Sequence, residues 1–268
     1  MNTMPQAATV ADHRVTKTNI ALPPPVDSLS QDREWCVVEV AGRWKKIRFH
    51  DYDEIYAIPG LYETLFYDVL NCSSPTTIRK MLQRCIHDAR VAPGDLRVLD
   101  LGAGNGMVGE ELARLGVRRM VGVDIIQAAA AATRRDRQDL YDDYFVLDMT
   151  DISGRDLLRF ESLELNCLTC VAALGFGDIP PAAFANAYNL IARGGWVAFN
   201  IKSDFLESDA PCGFAGLIRR MINDGLICIH AEQQYKHRLA INGEPLLYSA
   251  FVGVKDRDVP ATTGLEVR

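Results

Sequence analysis

An α/β fold, with a mostly parallel sheet and an antiparallel last strand, is what this sequence predicts, and three observations carry the prediction. Residues Val98 to Gly109 read V-L-D-L-G-A-G-N-G-M-V-G, a strand running into a glycine-dense turn, and Met107 to Leu115 continue with the apolar spacing of a helix. Strand-like runs recur at Arg119 to Val123, at Tyr144 onward to Asp148, at Leu168 to Val171 and at Trp196 to Ile201, in the alternation with helices that builds parallel sheets. Near the end, Leu226 to Arg238 and Leu247 to Val254 are extended runs on either side of Ile241-Asn242-Gly243-Glu244, and Asn-Gly is the strongest short signal for a hairpin.

Ahead of that region the chain reads differently. Residues 1–31 are polar and carry Pro23-Pro24-Pro25, which predicts a disordered tail with no catalytic part. Residues 32–90 are expected to form a hairpin and a helical cap. Cys36 to Val40 and Trp44 to Phe49 flank Ala41-Gly42-Arg43 as a strand pair, Tyr52 to Leu70 reads as helical, and Ser73-Ser74-Pro75 opens a second helix running to Ala89. Residues 91–268 are then the catalytic core, and the cap helices are expected to cover its pocket.

The glycine turn predicts a ligand. Gly102, Gly104 and Gly106 are needed where the backbone takes positive φ and approaches a small molecule with no β-carbon in the way. Asp100, inside the strand end, needs a partner for its charge, and a cationic ligand group is the expected one. Two cofactor classes could use such a turn. Gly104, Gly106 and Gly109 satisfy G-x-G-x-x-G, with Asp124 about twenty residues on as the ribose acid of a dinucleotide site. Against this, Gly102 and Ala103 stand between strand and first glycine, Asp100 becomes an unexplained charge near a pyrophosphate, and NAD chemistry calls for a second domain that does not follow.

Read from Asp100, the same residues are D-x-G-x-G-x-G, which resembles motif I of the class I S-adenosylmethionine-dependent methyltransferases. The resemblance runs in order from about Leu96 to Val254. It implies a Rossmann-like seven-stranded sheet with helices on both faces, and S-adenosylmethionine as cofactor. By the same resemblance Asp100, Gly102, Ala103 and Gly104 form the cofactor turn, Asp124 takes both ribose hydroxyls and Ile125 packs on adenine. Asp148 reads the adenine amino group, Met149 contacts the ring, and Ala172 follows strand four. The double-glycine turn within Leu190 to Gly195 is a frequent family feature, and A-L-G-F-G-D-I-P, ending at Pro180, is similar to a segment of the small-molecule subgroup around methyltransferase-like protein 27. Three acids ending successive strands argue for convergence on one ligand, because open α/β sheets bind at the carboxyl ends of their strands.

Composition bounds the partners. The 268 residues, 48% hydrophobic and 24% charged, suffice for a full core. A net charge of -6 speaks against a nucleic-acid partner. The basic clusters Arg43 to Arg48 and Arg134 to Arg137 are expected to be the wet face of a strand pair and a helix C-terminus. No apolar run reaches membrane-spanning length and no secretory leader is visible, so a cytoplasmic protein is expected. The odd set of seven cysteines reads as free thiols. Cys167-x-x-Cys170 lies in a predicted strand without a second pair at zinc spacing, so no metal is predicted.

These features lead to an enzyme that transfers a methyl group to oxygen, nitrogen or an activated aromatic carbon of a small molecule, plausibly in secondary metabolism. The alternatives are a non-catalytic S-adenosylmethionine-binding subunit and, further off, an RNA or protein methyltransferase. In related enzymes the acceptor pocket is lined by an N-terminal helix and the loops after strands four and five. Here these are His50 to Tyr56, Phe176 to Asp178, and Lys202 onward to Phe214. Tyr56 is expected to touch cofactor or substrate, and His50 or Asp178 to accept a proton. Asp178-Ile179-Pro180-Pro181 has the wrong order for the D-P-P-Y box of adenine and glutamine methyltransferases. Pro211-Cys212 follows strand five, whereas cytosine-C5 enzymes carry their Pro-Cys pair after strand four. The Trp35 to Phe49 hairpin is a candidate surface for a homodimer.

Overall fold

The computed structural model describes residues 18–24, 30–174, 178–207 and 213–260. Most of the expected 1–31 tail, Phe176 and Pro211-Cys212 therefore lie outside the described residues.

Seven strands form the main sheet in the order β6-β5-β4-β7-β8-β10-β9. They are β4 (Arg97–Leu101), β5 (Arg119–Asp124), β6 (Asp143–Val146), β7 (Cys167–Cys170), β8 (Trp196–Lys202), β9 (Ile227–Leu239) and β10 (Pro245–Lys255). The first five pair in parallel, and β10 runs antiparallel to both β8 and β9, so the sheet ends with one reversed strand as expected. Its apolar sequences explain its position: all four residues of β7 are buried, as are the first six of β8, which is how strands covered on both faces read. One face packs on α5 (Gly154–Ser162), α6 (Pro181–Asn189) and α8 (Phe214–Asn223), the other on α2 (Ser74–Asp88) and α3 (Met107–Leu115). The chain steps outward from β4 to β5 and β6, then returns to β7 on the other side. The carboxyl end of β4 is thus a topological switch point, where such sheets open a crevice.

Before this sheet, β1 (Ile20–Ala21), β2 (Trp35–Val40) and β3 (Arg43–Arg48) make a small antiparallel sheet. Its tight turn uses Ala41 and Gly42 at φ 50° and 74°, the left-handed pair that suits a two-residue hairpin. The helix expected over Tyr52 to Leu70 is broken. α1 (Tyr52–Ala57) stops because Ile58 precedes Pro59 and takes an extended conformation, and Gly60 turns at φ 71°. A π-helical segment, Glu63–Val69, follows, with Leu70 N–H reaching Leu65 O. α1 rests on α4 (Gln127–Asp136), whose alanine run gives a smooth surface with Ala129 and Ala132 fully buried against Tyr56.

Two buried cations tie distant elements together. Arg238 of β9 donates to Glu34 at 2.6 Å, with both side chains almost completely enclosed, and the second Glu34 oxygen accepts the Ile241 N–H. Lys255 sends its ammonium to the carbonyls of Tyr188, Asn189 and Ile191 at 3.0, 3.0 and 2.6 Å, satisfying the open end of α6.

Candidate active site

A cavity of about 290 Å³ opens over the carboxyl ends of β4, β5, β6 and β7. Gly102, the first residue of the glycine turn, lines it. Gly102, Gly104 and Gly106 take φ 69°, 54° and 89°, as their types predict, and Gly102 and Ala103 both donate their N–H to Val123 O. A β-carbon on Gly102 would press on Ala173 and Ile179 at 2.9 Å, and one on Gly104 would collide with the Tyr56 hydroxyl. Gly102 reaches the cavity wall, whereas Ala103 and Gly104 lie just behind it.

Asp124 ends β5 and faces the cavity. One carboxylate oxygen accepts the Gly104 N–H and the other the Ile126 N–H, each at 2.9 Å. Each oxygen keeps a further lone pair for a ligand hydroxyl. Burial raises its pKa, against the pull of these backbone donors. Next to it Ile125 is 60% exposed at the cavity rim, an apolar surface without cover from the protein. Met149 is buried in the wall. Asp148 lies beyond the strand expected to carry it, since β6 stops at Val146. Its carboxylate caps Thr150, accepting from N–H and hydroxyl at 2.8 and 2.7 Å, and these bonds hold its pKa low.

Asp100 departs most from its expected role. It is 1% exposed and stands behind the cavity, and its partners are two hydroxyls, Tyr141 and Thr169, each donating at 2.7 Å. It is not among the residues that line the cavity. Desolvation pushes its pKa up to about 6. Gly109, the third glycine of the dinucleotide pattern, serves this arrangement, since a β-carbon there would strike the Tyr141 ring and hydroxyl.

Three tyrosines roof the cavity. Tyr56 stacks between Tyr52 and Tyr62, at centroid distances of 6.0 and 5.2 Å. Burial raises all three phenol pKa values, so they act as apolar walls with neutral hydroxyls. At the cavity's other end His50 Nδ1 lies 3.4 Å from Asp178 Oδ2, which brings together the two residues expected to accept a proton. Ala172, at φ 58°, forms the wall between, and its N–H donates to Asn200 Oδ1 at 2.6 Å. Asn200 also donates to Ser74 and Tyr235. This positioning network spans β8, α2 and β9, and no spacing in the sequence announces it.

His50, Tyr52, Tyr62, Ala172 and Asp178 also line a second, smaller chamber of about 40 Å³, extending toward Phe49, Phe66, Gln31 and Tyr248. Among the described residues no cluster of three His, Cys, Asp or Glu side chains is arranged to hold a metal. Cys36, Cys72, Cys85, Cys167, Cys170 and Cys228 are free thiols.

A seven-stranded sheet with one reversed strand and a glycine turn at its switch point defines a class I methyltransferase fold. Residues 99–199 match the family model described as "Methyltransferase domain", so this segment of the chain carries a methyltransferase domain. Among solved structures, the chain is similar to the N-methyltransferase NodS from Bradyrhizobium japonicum WM9 in complex with S-adenosyl-L-homocysteine. That similarity has 13% identity and TM-score 0.53, over 77% of this chain and 97% of that one. Magnesium protoporphyrin IX methyltransferase from Synechocystis PCC 6803 with bound SAM aligns at 14% identity and TM-score 0.46, over 68% of this chain and 79% of that one. No curated protein matches the chain. No helix among the described residues is long and apolar enough to cross a membrane.

Proposed function

We propose that this methyltransferase acts on a small molecule, with the acceptor held between the tyrosine roof and the His50–Asp178 pair. The observation that carries the reading is the junction where the larger cavity meets the smaller chamber, lined by both members of that pair. In this reading Asp124 holds the ribose hydroxyls and Ile125 and Met149 flank the adenine. Asp148 accepts from the adenine amino group, and the backbone of Gly102 to Gly104 and Ala172 shapes the methionine end. Asp100 acts through Tyr141 and the turn and is a positioning residue. The residues before position 91 serve as the acceptor-side cap.

Bound S-adenosylmethionine supplies a methyl group already activated on a sulfonium, so the acceptor gains the methyl and the C–S electron pair stays on sulfur as a neutral thioether. The protein's task is to align the acceptor and exclude water, which can lower a barrier by roughly 7–11 kcal/mol. Where the acceptor is a hydroxyl, its proton passes to the His50–Asp178 pair, a contribution of about 10²–10⁴ in rate. Calorimetric titration with S-adenosylmethionine and, separately, NADH tests the cofactor assignments: Asp124→Ala is expected to weaken the first at least tenfold. Binding of NADH alone would return Gly104 to Gly109 to the dinucleotide reading. Methyl transfer into extracted RNA, with none to small acceptors, would overturn the acceptor class.

A further inference from the structure

We propose that Gln31 and Tyr248 read a neutral hydrogen-bonding substituent on the methyl acceptor, which makes the acceptor a phenol bearing a second uncharged polar group. The inference rests on the small-molecule reading above and deepens it. Gln31 sits on the short 3₁₀ turn Gln31–Arg33 and lines the smaller chamber. Its amide nitrogen donates to the Tyr248 hydroxyl at 3.1 Å, while its amide oxygen is buried with no partner among the described residues. A buried acceptor left unsatisfied costs about 1–3 kcal/mol, so a donor supplied by a ligand is the natural resolution.

Of the chamber's other polar groups, His50 and Asp178 face each other at the junction and the Cys72 thiol lies 3.8 Å from His237 Nδ1. Arg238 is neutralised by Glu34 and also donates to Leu239 O, and His237 Nδ1 is paired with Ser74 at 2.6 Å. Burial drives the His237 pKa well down, so it stands neutral. The Gln31–Tyr248 pair thus offers the chamber one acceptor and, on the Tyr248 hydroxyl, one donor. Reversing the amide changes which atom plays which part, since an amide's orientation is assigned from its partners. It still leaves one of each. Such a pair complements a hydroxyl or a carboxamide. A carboxylate would meet only one donor and bring a charge into a chamber whose cation is already balanced.

Size and shape complete the class. About 40 Å³ holds a polar substituent, not a further ring. Tyr52, Tyr62, Phe49 and Phe66 wall the space between this pocket and the His50–Asp178 junction, which suits a flat aromatic body. In transfer to such an acceptor the phenol O–H bond breaks, its proton goes to the His50–Asp178 pair, and the oxygen forms the new bond to the methyl carbon as the C–S bond breaks toward sulfur.

The test is calorimetry on protein saturated with S-adenosylhomocysteine, using catechol, hydroquinone and 4-hydroxybenzamide against phenol and 4-hydroxybenzoate. At least one of the three neutral disubstituted compounds is expected to bind tenfold or more tighter than phenol, and 4-hydroxybenzoate more weakly than 4-hydroxybenzamide. Gln31→Leu and Tyr248→Phe should each bring that preference below threefold, with the thermal midpoint and S-adenosylhomocysteine affinity of the variants checked in parallel. A preference that survives in both variants overturns the assignment, as does saturated protein that binds none of the neutral compounds. Failure of S-adenosylhomocysteine itself to bind would instead strike the cofactor site, a separable outcome.

Discussion

The Tyr141 hydroxyl donates to Asp100 Oδ2 at 2.7 Å, from a side chain that can occupy its place only because residue 109 is glycine. With Thr169 on the other oxygen, the motif I carboxylate is solvated by two hydroxyls inside the protein. Hydroxyls stabilise a carboxylate less than a cation does, which is why burial prevails and the pKa rises to about 6.

This pKa lies above the ordinary value of 3.8, so the folded state binds the proton more tightly than the unfolded chain. The stabilisation from that proton is present in full below the unfolded pKa and is lost as pH rises through about 6; integrated, it amounts to roughly 3 kcal/mol at most. Asp100→Asn is expected to be more stable than the parent at pH 7 by about 1–3 kcal/mol. Its urea midpoint should also change less between pH 7 and pH 5. A variant less stable at pH 7, with the parent's pH slope, would show that Asp100 is not the group responsible.

Gly109→Ala places a methyl where the Tyr141 hydroxyl lies. Helix propensity favours alanine by up to about 1 kcal/mol, but overpacking costs about 1–3 kcal/mol, so a net loss of stability is expected. The loss should be smaller in a Tyr141→Phe background, because the hydroxyl is the first atom met. Additive effects in a double-mutant cycle followed by chemical denaturation would contradict the contact.

Glu34→Ala strands the Arg238 guanidinium in an enclosed site. A cost of about 3–5 kcal/mol is expected by denaturant unfolding. The double variant Glu34→Leu with Arg238→Met should recover most of it, because two apolar side chains remove the unpaired charge. If the double variant is as unstable as the single one, the pair matters for something other than charge balance.

Lys255→Met removes the ammonium that serves three carbonyls at the end of α6. About 2–3 kcal/mol of stability should be lost, in the range of a charged hydrogen-bonding group. Affinity for S-adenosylmethionine should stay within twofold, because the site lies at the opposite end of the strands. A calorimetric titration beside the unfolding curve checks both halves.

The local geometry of the candidate site is legible in the sequence, for local reasons. Glycines at positive φ and an acid ending β5 are consequences of short stretches of chain, and so are visible there. Asp100's partners were not legible, because Tyr141 comes from a loop 41 residues away and no periodicity marks it. The break after α1 was written in Ile58-Pro59-Gly60, yet the apolar spacing around it read as one continuous helix. Asp148 lies two residues past the end of β6, although Leu147 is apolar enough to prolong the strand in the sequence pattern. Gln31 looked like tail on composition; its position depends on Tyr248, 217 residues further on.

The Glu34–Arg238 bond joins residues 204 positions apart, and during synthesis that separation is also a delay. At about 5–20 residues per second, Glu34 leaves the ribosome some tens of seconds at most before its counter-ion is made. Through that interval the first strands can pair with each other, yet the acid between them and the turn holding Gln31 has no guanidinium to settle on. The smaller chamber is therefore among the last parts of the molecule to close, and a nascent chain stopped short of β9 would carry the glycine turn and Asp124 without the wall that His237, Arg238 and Tyr248 give that chamber.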